Sequence, residues 1–372
     1  MRVPVYEPYF IGNEKKYVQD CIETTWISSK GKYIDQFEKE FSRFTKIRYS
    51  NTVSNGTTAL HLALLALGIS NNEEVIVPTF TYIASVNAIK YVGATPIFVD
   101  SDPLTWQIDL LDLEKKITDK TKAVIAVHLY GNVLNIKKLK SLCNKYNLLL
   151  IEDCAEAIGS YYNDIHVGNF GDIATFSFYG NKTITTGEGG MVCTNDIEFS
   201  KKVRLYRGQG VSETIEYWHE VIGYNYRMTN ICAAIGLAQL EGINEILSHK
   251  KRITALYKKL LEDLPISFAI EEELTRNSNW MIAITVDSEN NRNNLREYLN
   301  INSIETRPFF IPIHCMEMYC GAQPNDFPVA MEISRRGLNL PSSPTLNDER
   351  IYYVCKIIRD FFESKDRRDI IE

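Results

Sequence analysis

The chain has 372 residues, 41 Lys and Arg against 47 Asp and Glu, and a net formal charge of −6. Apolar residues make up 45% and charged residues 24%, the balance of an ordinary globular protein long enough for two domains or one large α/β domain with a small companion. With no basic excess, a nucleic acid is excluded as the main partner, whereas one phosphate-bearing metabolite is not.

Cysteines fall at 21, 143, 154, 193, 232, 315, 320 and 355, with no C-x-x-C pair and no zinc-spaced Cys/His cluster. That scatter predicts reduced thiols, no metal site and a cytoplasmic setting. The start, MRVPVYEPYFIGNEKKY, lacks the apolar core of a signal peptide. Tyr49–Asn72, the longest uncharged stretch, is broken by Ser54, Asn55, Thr57, Thr58 and His61, so no membrane span is expected.

In chain order, the segment from Thr57 to Leu67 places Leu60, Leu64 and Leu67 on one helical stripe, with Ala59, Ala63 and Ala66 allowing close approach. Strand-like runs follow at 73–77, 94–100, 122–131 and 148–153, separated by helical patterns near 81–92, 109–117 and 135–146. Such alternation implies a mostly parallel sheet covered on both faces. GDIATFSF and GGMVCT then read as two strands close together, followed by helices over 228–247 and from Ser248 onward. The remainder reads strand (WMIAITV), helix (NRNNLREYLN), strand (IETRPFF) and helix. The expected organisation is a large domain over 1–247 and a small α+β domain over 248–372.

Three segments carry chemistry. Ile173–Gly187 holds one charge in fifteen residues, Lys182, flanked by aromatics, Gly and Thr with no acid beside it. A lysine at a strand end commonly snorkels to water. A desolvated one has a lowered pKa and can form a Schiff base with a carbonyl. Asp153 ends the apolar run LLLIED, at the edge where open α/β sheets bind ligands. It fits either a helix N-cap or the acid that keeps a pyridinium nitrogen protonated. Glu156 would share its side if this segment turned helical. In VSNGTTALHLALLALG, Gly56 and Thr57 open a helix, which is either a plain capped start or a phosphate seat. Neither a Walker A pattern nor G-x-G-x-x-G occurs. Phosphate seat, ring acid and lysine together suggest a fold-type I enzyme dependent on pyridoxal 5′-phosphate.

VSNGTTALHLA, VPTFTYIAS, IEDCAEAIGS, TFSFYGNKTITTGEGGM, YNYRMTNICAAIGLAQLE and RPFFIPIH resemble the sugar aminotransferases of the DegT/DnrJ/EryC1/StrS family. The resemblance runs from VPVYEP to RGLNLPSSP, nearly the whole chain, and is nearest to members that aminate C4 of GDP-4-keto-6-deoxymannose. It implies a large domain with a mixed, mostly parallel sheet and a small C-terminal one. It further implies that Lys182 binds pyridoxal phosphate and moves the proton, and that Asp153 pairs with the ring nitrogen. Tyr82 would stack on the ring, with Gly56, Thr57 and Ser177 on the phosphate and Glu156 near the cofactor hydroxyl. Asn225 would reach the phosphate of a neighbouring subunit, so a homodimer, or a dimer of dimers, with shared active sites is expected. Arg227 and His314 are candidate contacts to a nucleotide-sugar substrate, and glutamate is the donor usual in the family. Relatives that carry histidine for the lysine remove a hydroxyl instead; Lys182 favours transamination. A dTDP- or UDP-linked sugar remains the alternative substrate, and a non-catalytic sensor the alternative role.

Overall fold

The computed structural model describes residues 1–319 and 326–369. Its centre is a seven-stranded sheet whose spatial order is 49–53, 190–194, 173–177, 149–153, 121–127, 74–78 and 95–99. Only Gly190–Thr194 runs antiparallel to its neighbours; every other pairing is parallel. The expected mixed, mostly parallel sheet is therefore present, and the two adjacent runs after residue 171 pair directly. Burial on both faces explains the unbroken Val, Ile and Leu runs of the inner strands.

Several boundaries differ from expectation. The run over 122–131 ends as a strand at Val127; a 3-10 turn over Leu129–Gly131 follows, with positive φ at Tyr130 (56°) and Gly131 (85°). The segment after Asp153 forms turns, not a helix. The single helix expected over 228–247 is two, Asn230–Glu241 and Ile243–Leu260, meeting at 61° beside Gly242. Two N-terminal helices, Glu14–Glu23 and Lys32–Thr45, lie outside the sequence reading. So does the sheet-edge strand Tyr49–Val53.

The helix Gly56–Leu67 is apolar all round and buried beneath the sheet's ligand edge. Asn55 caps it, accepting from the Thr58 N–H at 2.9 Å, while the Thr58 hydroxyl accepts from the Asn55 N–H at 3.3 Å.

A second, antiparallel sheet has the order Ile266–Ser267, Ile282–Val286, Gly337–Leu340, Arg307–Pro308. Glu289–Ile301, Pro328–Arg336 and Asp348–Asp369 are the helices of this smaller α+β unit. The run IETRPFF supplies only a two-residue strand, and Gly337–Leu340 is the inner strand in its place. The N-terminal arm joins the same layer, where Val3 donates to Ser303 O at 2.9 Å and is fully buried. Cys320 lies outside the described residues; Cys21, Cys143, Cys154, Cys193, Cys232 and Cys355 are free thiols. Among the described residues, no single helix is long and apolar enough to cross a membrane.

Candidate active site

Parallel strands present their carboxyl ends on one edge of the sheet, and open α/β sheets bind ligands there. A cavity of about 800 Å³ occupies this edge and is roofed by residues of the small unit. The strands deliver Tyr82, Tyr130, Asp153 and Ser177 to its wall, and the helix start adds Gly56 and Thr57. Lys182, Glu156, Glu188, Trp280 and Arg307 add further charged and aromatic side chains to the lining.

Lys182 lies in the turn that links two buried strands and is 13% exposed at its side chain. Its Nζ is 3.5 Å from Glu156 Oε1 and 3.9 Å from the centre of the Trp280 ring. The backbone on either side is held: the Tyr6 hydroxyl donates to Lys182 O at 2.7 Å, and Trp280 Nε1 donates to Asn181 O at 2.6 Å. Lys182 does not snorkel to open solvent. It faces a ring and a carboxylate.

Asp153 is buried, and no helix begins at it, so the N-cap role does not apply. Its Oδ2 accepts from the Ser85 hydroxyl at 2.7 Å and its Oδ1 from the Ala155 N–H at 3.1 Å. Glu156 reaches the same cavity from the turn, with Oε2 accepting from the Tyr130 N–H at 2.7 Å. Burial raises its pKa, and the nearby Lys182 opposes the rise.

The helix start is pressed against Ser177. A Cβ on Gly56 would lie 2.8 Å from the Ser177 Cβ and 3.1 Å from its Oγ, so only glycine lets the two segments approach this closely. The leading N–H groups of a helix have no acceptor within it, and its dipole favours an anion. Tyr82 is 57% exposed at the cavity and tilts toward Phe310, with ring centres 5.7 Å apart, so it is no core tyrosine. An anion seat, a buried acid and an enclosed amine on one cavity fit pyridoxal phosphate.

Three of the expected residues lie outside this chain's own cavity: Asn225, which the resemblance assigns to a neighbouring subunit's site, Arg227 and His314. Asn225 is exposed outside the cavity and accepts from Arg227 Nη2 at 3.0 Å; only Tyr226 between them reaches the lining. His314 is not brought to the cavity either. Its ring is buried 4.6 Å from the Phe327 ring, with Nδ1 2.7 Å from the Thr79 hydroxyl, and burial lowers its pKa.

Sequence reading passed over Ser85, Tyr130, Trp280 and Arg307. Ser85 and Arg307 stand inside segments that carry the family resemblance, which was the available signal. Trp280 begins a strand-like run and reads as packing. His128, Glu152 and Cys154 place ligand-type atoms within 4.8 Å of one another. Glu152 is already committed, however, to His128 Nε2 (3.1 Å) and to the N–H groups of Gly168 (2.8 Å), Phe170 (2.8 Å) and Gly171 (2.6 Å). That trio fastens a loop.

Residues 9–359 match the DegT/DnrJ/EryC1/StrS aminotransferase family. The chain is 53% identical to the GDP-perosamine synthase of Escherichia coli O157:H7 over 363 residues, covering 98% of this chain and 99% of that one. To the GDP-perosamine synthase of Vibrio cholerae it is 50% identical, with coverage of 97% and 99%. It is also similar to the solved PLP form of Spr1654, a putative sugar aminotransferase from Streptococcus pneumoniae. The TM-score is 0.94 at 27% identity, covering 98% and 99% of the two chains. With the match spanning nearly its whole length, the chain belongs to the DegT/DnrJ/EryC1/StrS aminotransferase family.

Proposed function

We propose that the protein transfers an amino group from glutamate to C4 of GDP-4-keto-6-deoxy-D-mannose, giving GDP-perosamine, with pyridoxal phosphate as cofactor. The observation that carries aminotransfer is the Lys182 amine, enclosed by Glu156 and Trp280 in the cavity that also holds Asp153. The choice of sugar rests on the full-length similarity to two GDP-perosamine synthases.

When bound, pyridoxal phosphate supplies an aldehyde that captures amines and a ring that accepts an electron pair. Gly56, Thr57 and Ser177 would hold its phosphate. Asp153, itself fixed by Ser85, would keep the proton on the ring nitrogen. Lys182 Nζ would anchor the aldehyde and then carry the proton to and from the substrate carbon. Glu156 Oε1, 3.5 Å from Nζ, steadies that amine. At about 800 Å³ the cavity is in the upper part of the roughly 300–1,000 Å³ range of small-molecule sites, which leaves space for a sugar beside the cofactor. Arg307 and Lys182 are the two cationic side chains on the lining among the described residues. The former's planar guanidinium suits a diphosphate.

A homodimer with shared sites is part of this reading. The stretch before Asn225 exposes Ile215, Tyr217 (89%), Trp218 and Ile222 (91%), an apolar cluster that a second copy would cover. Asn225, next to it and outside its own cavity, would then complete the partner's. The division at 247 and 248 is supported by the packing of one helix: Ile243, Ile246 and Leu247 join the large core, while Ile253 and Tyr257 join the small one. Free thiols favour a reducing, cytoplasmic compartment.

The test is an assay with glutamate against a panel of 4-keto-6-deoxy nucleotide sugars. Turnover of the GDP-mannose derivative at least tenfold above the dTDP and UDP sugars is expected. Comparable rates on a dTDP-glucose derivative would overturn the sugar assignment and leave aminotransfer standing.

A further inference from the structure

Lys250 is the one lysine among the described residues that is wholly buried. It sits on the helix Ile243–Leu260, and no carboxylate pairs with it among the described residues. An ammonium carries three donors. Two go to main-chain carbonyls, Trp280 O at 2.6 Å and Ser342 O at 2.7 Å. Nζ also stands 4.9 Å from the centre of the Tyr6 ring, within cation–π range. Burial pushes its pKa down to about 7. Leaving a lysine here unpaired by an acid is costly, and a methionine would fill the same volume more cheaply.

Both aromatic residues that Lys250 touches bear directly on Lys182. Trp280 lays its ring 3.9 Å from Lys182 Nζ and ties its indole N–H to the carbonyl of Asn181. Tyr6 ties its hydroxyl to the carbonyl of Lys182 itself. The three segments so joined are the N-terminal arm, the lead into strand Ile282–Val286 and the turn after strand Gly337–Leu340. They also bond to one another, Ser342 N–H to Val5 O, Ser343 Oγ to Glu7 O and Ile282 N–H to Ser342 Oγ, each at 2.8 Å, and Lys250 Nζ is the single atom that touches all three.

We propose that Lys250 is a positioning residue for Lys182: its ammonium clamps Trp280 and Tyr6 so that one ring faces the reactive amine while both fix the backbone that bears it. This rests on the reading of Lys182 as the amine that binds pyridoxal phosphate. The other ionisable groups around Lys182 are Glu156 at 3.5 Å and, on the same cavity wall, Asp153, Glu188, Arg307 and several tyrosines. None of these is among the contacts of Lys250, so a change at Lys250 reaches Lys182 through Trp280 and Tyr6.

The test uses the full chain loaded with pyridoxal phosphate, whose visible absorbance is titrated with pH in the wild type, Lys250→Met and Trp280→Phe. An indole face favours a cationic nitrogen, so misplacing it lowers the midpoint. In Lys250→Met with wild-type near-ultraviolet circular dichroism, the midpoint should fall by about half a pH unit or more, roughly a threefold change in proton affinity. A midpoint unchanged in that folded variant would overturn the proposal. If Lys250→Met does not fold, Trp280→Phe decides: it keeps a ring but drops the bond to Asn181, and a wild-type midpoint there contradicts the route. Borohydride reduction of the wild type, followed by peptide mass spectrometry, separates the two levels. Absence of cofactor on Lys182 refutes the functional reading, whereas a Lys182 adduct with unmoved midpoints refutes only the positioning role.

Discussion

An amine enclosed by an indole ring and a carboxylate is poised differently from one in water, and Glu156 is the side chain that shows the cost. Buried beside Lys182, its carboxyl has a pKa raised by desolvation, so the native state holds that proton more tightly than the unfolded chain does. Stability must therefore fall as pH rises from the unfolded value of about 4.5 through the raised native value. Glu156→Gln keeps an acceptor for the Tyr130 N–H and removes the titration. Its melting temperature relative to wild type should be higher at pH 8 than at pH 5, by differential scanning fluorimetry; an equal difference at both values would contradict the assignment. At this scale much of the site was legible. Lys182 stood out as the one charge in fifteen residues, and Asp153 as the acid that ends an apolar, strand-like run. His314 was misleading because a histidine after an aromatic cluster reads alike whether it faces a ligand or, as here, the Thr79 hydroxyl and the Phe327 ring. Trp280 and Lys250 were illegible, since their roles depend on a contact between segments 30 residues apart.

Single elements owe their place to capping and anchoring as much as to apolar runs. Asn55 seals the helix whose start forms the anion seat. Asn55→Ala should destabilise the fold by about 1 kcal/mol in urea denaturation and weaken pyridoxal phosphate binding in the same protein. Full cofactor affinity with lost stability would separate the cap from the seat. Tyr161–Tyr162 and Ile165–His166 form a hairpin pinned by His166, whose Nε2 accepts from the Gly159 N–H at 2.9 Å and whose Nδ1 donates to Val167 O. Burial lowers the His166 pKa from 6.5 to about 4. The neutral ring is thus a native-state requirement: its contribution is complete above pH 6.5 and is lost as pH falls from there toward 4. Between pH 7 and 5 the loss is roughly 2 kcal/mol, and His166→Gln should flatten that slope. The strand Tyr49–Val53 escaped the sequence because its polar side chains find partners inside the protein, Ser50 in Ser42 and Cys193, Asn51 in Ser200 and Arg204, and Thr52 in Glu38, giving a polar strand that is nonetheless buried. Gly337–Leu340 escaped for a similar reason, its buried Asn339 breaking what would otherwise read as an apolar run. Tyr33, Phe37 and Phe41, by contrast, do repeat at helical spacing.

The whole molecule joins a sheet that gathers the site to a small unit that roofs it, and carries an exposed apolar cluster that the proposed dimer would cover. Replacing Tyr217 and Trp218 together by Glu should convert the protein to monomers in analytical ultracentrifugation and reduce turnover at least tenfold, because Asn225 would no longer reach a neighbouring cavity. Monomers with full activity would contradict shared sites while leaving each chain's own chemistry intact. Acidic net charge, read at first only as excluding nucleic acid, is compatible with a nucleotide ligand because the cations are local: Lys182 and Arg307 face the cavity within a chain of charge −6. The central claim is that this cavity moves an amine onto a sugar by way of Lys182. It is tested most directly by mass spectrometry of the product formed from GDP-4-keto-6-deoxymannose and ¹⁵N-amino-labelled glutamate. The wild type should yield a GDP-linked amino sugar carrying ¹⁵N, and Lys182→Ala should lower its formation by about a thousandfold. A deoxysugar without nitrogen, or undiminished ¹⁵N transfer by Lys182→Ala, would contradict the claim.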